Sequence, residues 1–205
     1  LTGLPREHRA FQYLLTQAVP GDPRQVLMTF DRWGYRCEHL SCLGPAKGRI
    51  VERLLAERAP QRVLELGTYC GYGSLLLALG LPAGARVLSV EANPWHAEVA
   101  QKVLRLAGID EHRVEVLVGQ SDEVIPVLRR RPELGQLGQL DFVLMDHRKK
   151  FYLRDLRLLE SLGLLATGAT VVADHVLFPG APQFLQYAKS SGRYRCRIHR
   201  ANLEF

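Results

Sequence analysis

The sequence predicts an α/β fold: a doubly wound, mostly parallel sheet with helices on both faces and extra helices ahead of the first strand. Three observations predict it. From residue 62 onward, short apolar runs alternate with amphipathic stretches, the pattern of strand–helix–strand crossovers. The first run ends in an acid and a glycine-punctuated turn, Glu65-Leu66-Gly67-Thr68-Tyr69-Cys70-Gly71-Tyr72-Gly73, which opens a strand–loop–helix unit. The second run ends at Glu91, a carboxylate at about the 20-residue remove where such folds hold a ribose.

Each element follows in order. Residues 9–18 read as a helix ended by Pro20-Gly21, and 23–33 as a second helix with Asp22 as its cap. Residues 48–56 form a third, with Ile50, Val51, Leu54 and Leu55 on one face. Strands are predicted over 62–66, 85–90, 113–118, 140–145, 170–173 and 193–199. The helices between them cover 73–79, 94–107, 122–129, 152–162 and 182–189. Residues 1–205 thus read as a single domain, with helices over 1–60 covering the sheet and a nucleotide-type core over 61–205.

Composition narrows the class. The chain has 205 residues, 47% of them hydrophobic, enough for a sizeable core. No apolar run reaches the roughly 20 residues that span a bilayer, and Arg6, Glu7, His8 and Arg9 interrupt any signal-peptide pattern. Cys37, Cys42, Cys70 and Cys196 form no Cys-x-x-Cys pair, which argues against a zinc site and for reduced thiols in an intracellular, cytoplasmic or membrane-associated protein. The net charge of +6 is concentrated at 129–131, 148–150 and 193–200. A nucleic-acid enzyme would rest on that charge alone, with no aromatic stripe to stack bases, so no nucleic-acid partner is expected. A membrane-surface role for the basic charge stays open.

The glycine loop does not carry the dinucleotide fingerprint: Tyr69 stands two positions after Gly67, and Leu76 takes the third small position counted from Gly71. Glu-x-Gly-x-x-x-Gly-x-Gly gives backbone room without a full phosphate cradle. That suits S-adenosylmethionine, which carries a carboxylate and an ammonium but no phosphate. The plainer alternative is a loop that only joins strand to helix.

In parallel sheets the site lies beyond the carboxyl ends of the strands. There stand Glu65 and Gly67, Glu91, the run Gly119-Gln120-Ser121-Asp122, then Asp146-His147-Arg148-Lys149, and finally Asp174-His175. Asp146 and Asp174 end neighbouring strands, and two carboxylates brought together repel unless a cation sits between them. Oxygen ligands suit Mg2+, and a nitrogen from His175 moves the preference toward transition metals. A cation bound by two neighbouring hydroxyls makes them more acidic, and Lys149 is placed to take the proton.

Together these residues resemble the catechol O-methyltransferase family. The carriers are Lys47-Gly48-Arg49-Ile50-Val51, the glycine loop, Asp146-His147-Arg148-Lys149, Ala173-Asp174-His175-Val176 and Pro179-Gly180-Ala181-Pro182. The runs Pro20-Gly21-Asp22-Pro23, Tyr152-Leu153-Arg154-Asp155-Leu156 and Phe184-Leu185-Gln186-Tyr187-Ala188-Lys189 look like its transmembrane O-methyltransferase branch. The resemblance implies a seven-stranded sheet, S-adenosylmethionine and Mg2+. Asp146, Asp174 and His175 would bind the metal, Lys149 would be the base, and Glu204 would hold the second hydroxyl of a catechol. Cofactor contacts would be Leu43, Glu65, Gly67, Tyr69, Gly73, Glu91, Ala92, Ser121, Asp146 and His147.

The departures from the family pattern are His39, Ser41 and Arg148, where larger apolar groups are expected as walls for the flat substrate and the cofactor's adenine, and His175, where an asparagine is expected. The branch further implies an N-terminal membrane anchor, a strand continuing past Phe205, and a role in trafficking mechanotransduction channel components in auditory hair cells. A partner-binding module that keeps the fold is therefore the alternative to an enzyme that methylates a small catechol.

Overall fold

The computed structural model describes residues 3–136 and 138–201. Three helices come first: α1 (Arg6–Gln17), α2 (Pro23–Arg36) and α3 (Gly44–Arg58). Asp22 caps α2 as its position predicts, its carboxylate accepting from Gln25 N at 3.0 Å, and Pro23 fills the first helical position without loss of a needed donor. α3 starts four residues before the predicted boundary because Gly44-Pro45, which reads as a loop, is tolerated in a first turn.

Strands and helices then alternate. β1 (Arg62–Leu66) leads to α4 (Tyr72–Gly80), β2 (Arg86–Glu91) to α5 (Pro94–Leu106), and β3 (Val114–Val118) to α6 (Ser121–Leu128). β4 (Leu140–Met145) leads to α7 (Tyr152–Ser161), and β5 (Leu165–Ala173) to α8 (Pro182–Ser190). All pairings are parallel in the order β3-β2-β1-β4-β5. The order reverses between β1 and β4, and a crevice opens there at the carboxyl ends.

Period-two alternation sorts the strand side chains onto two cores. Val63, Val87, Phe142 and Leu144 face α1 to α5. Leu64, Leu66, Leu88, Val90, Val143 and Met145 face α6, α7 and α8. Each fully buried leucine of this kind contributes about 1.5–3 kcal/mol. Glu65 and Ser89 occupy positions in the first pattern that an apolar residue would normally fill, and both are buried.

Two expectations are corrected. β5 begins at Leu165, ahead of the predicted 170–173, because the ladder skips from Leu140↔Leu165 to Phe142↔Thr170. The extra residues bulge around Gly168 (φ +81°), which in sequence looks like a breaker. Residues 193–199 form no strand, and the sheet has five strands among the described residues rather than the seven that the resemblance implies. The alternation of basic and apolar residues there supplies a period but no partner: Cys196 is exposed and Ile198 is 39% exposed. The segment is held at its start instead, by Tyr194 Oη donating to Glu160 and by Arg193 at 3.8 Å from the same carboxylate. The four cysteines are free thiols.

Candidate active site

β1 delivers its acid and its turn to the crevice. Gly67 has φ +100°, and a Cβ there would lie 2.7 Å from the Asp146 carbonyl oxygen and 2.8 Å from His147 N. The loop after β1 therefore passes directly against the loop after β4, which only glycine permits. Tyr69 follows at φ +48°. Its backbone N–H donates to Glu91 Oε2 at 2.8 Å, and Asn93 N–H donates to Oε1 at 2.9 Å. Glu91 is thereby fixed at the tip of β2 with spare lone pairs on both oxygens.

Glu65 turns inward. Ser89 Oγ (2.5 Å) and Ser74 Oγ both bond its Oε2, and a Cβ at position 73 would overlap its Oε1. Burial pushes this carboxyl up to about 8, against the pull of the two serines. Leu43, Glu65, Gly67, Tyr69, Gly73 and Asp146 line one open cleft, together with Ser41 and Cys42 from the segment that enters α3. The Tyr69 phenol donates to Glu7 Oε1 at 2.6 Å and accepts from Arg6 at 3.0 Å, so the start of α1 lies over the loop.

The remaining predicted cofactor residues stand farther along the same strand ends. Ala92 follows Glu91, and Ser121 begins α6. Asp155, fully buried on α7, receives His147 Nε2 at 2.7 Å and Arg154 Nε at 2.7 Å. Burial opposes its charge, but the bonds from His147, Arg154 and Ser121 outweigh it and hold the carboxyl below its usual range. Arg154 also donates to Ser121 Oγ at 2.7 Å. The Ser121 hydroxyl is thus occupied by the protein. His147 Nδ1 is buried with no partner among the described residues.

The acidic cluster assembles at the ends of β4 and β5. One ligand atom from each of Asp146, Asp174 and His175 lies within 4.8 Å of the others. His175 has φ +54°, which turns its ring back toward both carboxylates. Nδ1 sits 2.9 Å from Asp174 Oδ2 and 3.9 Å from Asp146 Oδ1, and makes no hydrogen bond among the described residues. Asp146 and then Asp174 hold the imidazole above its usual range. Burial opposes ionisation of Asp174, yet His175 and Lys47 bring it down to about 2.

Lys149 Nζ is tied to Tyr152 Oη (2.9 Å), Asp146 Oδ1 (3.2 Å) and the His147 carbonyl (3.2 Å). The Tyr152 phenol donates in turn to Met145 O at 2.7 Å. These contacts give Nζ one fixed position beside the cluster. Two carboxylate oxygens and an imidazole nitrogen converging on one point fit a divalent cation completed by water or substrate. Glu204 lies outside the described residues.

Lys47, Tyr152, Arg154 and Asp155 stand in runs that carry the resemblance, but the sequence assigned no role in the site to them or to Glu7. Only the Lys149–Tyr152 spacing of three carried a local signal. Lys47 meets Asp174 across 127 positions.

A parallel sheet with this strand order, an acid fixed at the tip of β2 and a glycine loop pressed against the β4 loop defines a Rossmann-like fold, a class whose ligand crevice lies at the strand ends. Residues 35–193 match the family model described as O-methyltransferase. The chain is 60% identical over 203 residues to the human (Homo sapiens) protein named Transmembrane O-methyltransferase, covering 99% of this chain and 69% of that protein. It is 40% identical over 205 residues to Catechol O-methyltransferase of Bos taurus, covering 100% and 74%. An O-methyltransferase of Streptomyces achromogenes, solved in complex with SAM, superposes with a TM-score of 0.68 at 26% identity over 93% of this chain and 88% of that one. One from Bacillus cereus, solved with SAH, shares the fold at a TM-score of 0.67 and 21% identity, over 89% and 86%. The chain belongs to the O-methyltransferase family. Among the described residues, no helix is long and apolar enough to cross a membrane.

Proposed function

We propose that this protein transfers a methyl group from S-adenosylmethionine to one hydroxyl of a catechol, with a divalent cation, Mg2+ in the first instance, at Asp146, Asp174 and His175. One observation carries the reading: three ligand atoms within 4.8 Å of one another, on residues that adjoin both the glycine-loop cleft and Lys149. The names and SAM or SAH complexes of the relatives support the donor, and the 40% identity to a catechol enzyme supports the acceptor.

The residues present fit both groups. Glu91 offers two fixed acceptors for a vicinal diol, and His147 Nδ1 is a buried polar atom with no partner among the described residues. When bound, S-adenosylmethionine supplies an electrophilic methyl, and the cation acidifies and orients the hydroxyl that receives it. Lys149 Nζ takes the proton from that hydroxyl as the neutral amine, after giving up the proton it carries in the resting ion pair with Asp146, and Tyr152 Oη and the His147 carbonyl hold it in place. The resemblance assigns the second hydroxyl to Glu204, which lies outside the described residues. The leaving proton and the arriving methyl are thereby kept at one oxygen, which is the gain from orientation.

The wall around the substrate is more polar than a flat aromatic would favour. Ser41 lines the cleft, and Arg148, which the resemblance sets along the same wall, is exposed. We infer an acceptor that carries a polar substituent besides its catechol ring. The name of the human relative supports a membrane-associated setting.

Lys149→Ala tests the reading. Methyl transfer to a small catechol should fall by about 10²–10⁴-fold, while S-adenosylmethionine still binds by calorimetry. Unchanged turnover would remove Lys149 from the mechanism.

A further inference from the structure

The two carboxylates of the cluster each carry a lysine, and only one of those lysines has a part in the proposed chemistry. Lys149 sits on Asp146. Lys47, on the first turn of α3, places Nζ 2.7 Å from Asp174 Oδ2 and 3.3 Å from His175 Nε2. It thus touches two of the three groups that would ligate the cation. Its side chain is 14% exposed and that of Asp174 8%, so this is no surface pair that water screens to near zero. With the imidazole neutral, Asp146, Asp174, Lys47 and Lys149 sum to zero net charge.

We infer that Lys47 is a resident counter-ion that competes with the divalent cation for Asp174 and so sets the metal affinity of the site. The inference rests on the metal reading of the cluster given above. Without the metal, the ammonium neutralises Asp174 and keeps the ligands together, where two bare carboxylates would repel. A divalent cation at the same ligands meets a like charge a few ångströms away, a repulsion still large at the effective dielectric of such sites. Binding must therefore displace Lys47 from Asp174.

The test is a Mn2+ titration followed by electron paramagnetic resonance on purified full-length wild type, Lys47→Met, Lys47→Arg and Asp174→Asn, with no substrate present. Lys47→Met keeps the aliphatic stem and removes the charge. It should bind Mn2+ at least about tenfold more tightly than wild type, by the Coulomb term just given, whereas Lys47→Arg, which keeps the charge, should not. Thermal unfolding supplies a second readout. Lys47→Met should melt below wild type without metal and gain more than wild type from saturating Mn2+. A merely structural lysine would lower both melting points equally. Equal or weaker Mn2+ binding by Lys47→Met, with Asp174→Asn losing the ion, overturns the role of Lys47 and leaves the metal site standing. Equal binding by wild type and Asp174→Asn, or none by either, overturns the metal site itself and the inference with it.

Discussion

The two halves of the crevice are built on different physics. On the β1–β2 side, position is fixed by backbone. Gly67 presses against the β4 loop, Glu91 is gripped by two main-chain N–H groups, and Glu65 is sealed beneath α4 by two serine hydroxyls. On the β4–β5 side, position is fixed by charge. Asp146 and Asp174 are balanced by Lys149 and Lys47, and their side chains keep some access to solvent. A backbone-built site suits a ligand that never changes, and a charge-built site can be retuned by one residue. Of the departures that the resemblance points to, Arg148 and His175 lie on the charge-built side, whereas Ser41 lines the cleft beside the glycine loop.

The sharpest way to break this contrast is Gly67→Ala. The new Cβ would stand 2.7 Å from backbone, at φ +100°, where no side-chain rotation can relieve it. Separating β1 from β4 at the crevice should cost on the order of 3–5 kcal/mol, combining backbone strain with overpacking. Urea denaturation should show the loss with or without metal. A variant as stable as wild type would mean that the β1 side has more give than its geometry implies.

Glu65 tests the same half through pH. Burial raises its carboxyl in the folded state to about 8 from an ordinary 4.5, so the native protein holds this proton more tightly than the unfolded chain. The resulting stabilisation is complete below about pH 4.5 and is lost as pH rises through about 8. Glu65→Gln keeps a neutral, hydrogen-bonding side chain and has no proton to lose. Between about pH 5 and about pH 8 the wild type should therefore lose on the order of 3 kcal/mol more than the variant, measured by denaturation at each pH. Parallel curves would mean that Ser74 and Ser89 keep Glu65 ionised.

The contrast also marks what could be read from the sequence. Glu65, Gly67, Glu91, Asp146, Asp174 and His175 were legible because a parallel sheet brings every strand end to one edge, so the position after an apolar run is itself structural information. Lys47 was not. Its helix starts in a Gly-Pro pair that imitates a loop, and its partner is 127 residues away. Nor were Arg154 and Asp155, whose bonds tie α7 to Ser121 at the start of α6 and to His147 in the loop after β4, with no shared period. Residues 193–199 fail the other way: they have the period of a strand, but a strand also needs a neighbour to pair with.

The smallest expected effect lies on the charge-built side, at His175. Its backbone, at φ +54° and ψ +30°, is a conformation that asparagine adopts readily, so His175→Asn should leave stability within about 0.5 kcal/mol apart from the lost contacts. The change replaces an imidazole nitrogen by an amide oxygen and removes the group that Lys47 meets at 3.3 Å. Harder oxygen donors favour Mg2+ over ions that accept nitrogen. Methyl transfer titrated with each ion should accordingly reach half-maximum at several-fold lower Mg2+ and several-fold higher Mn2+ than in wild type. If both titrations move together, His175 acts through the overall charge of the cluster and not as a ligand, and the tuning assigned to it passes to Lys47 alone.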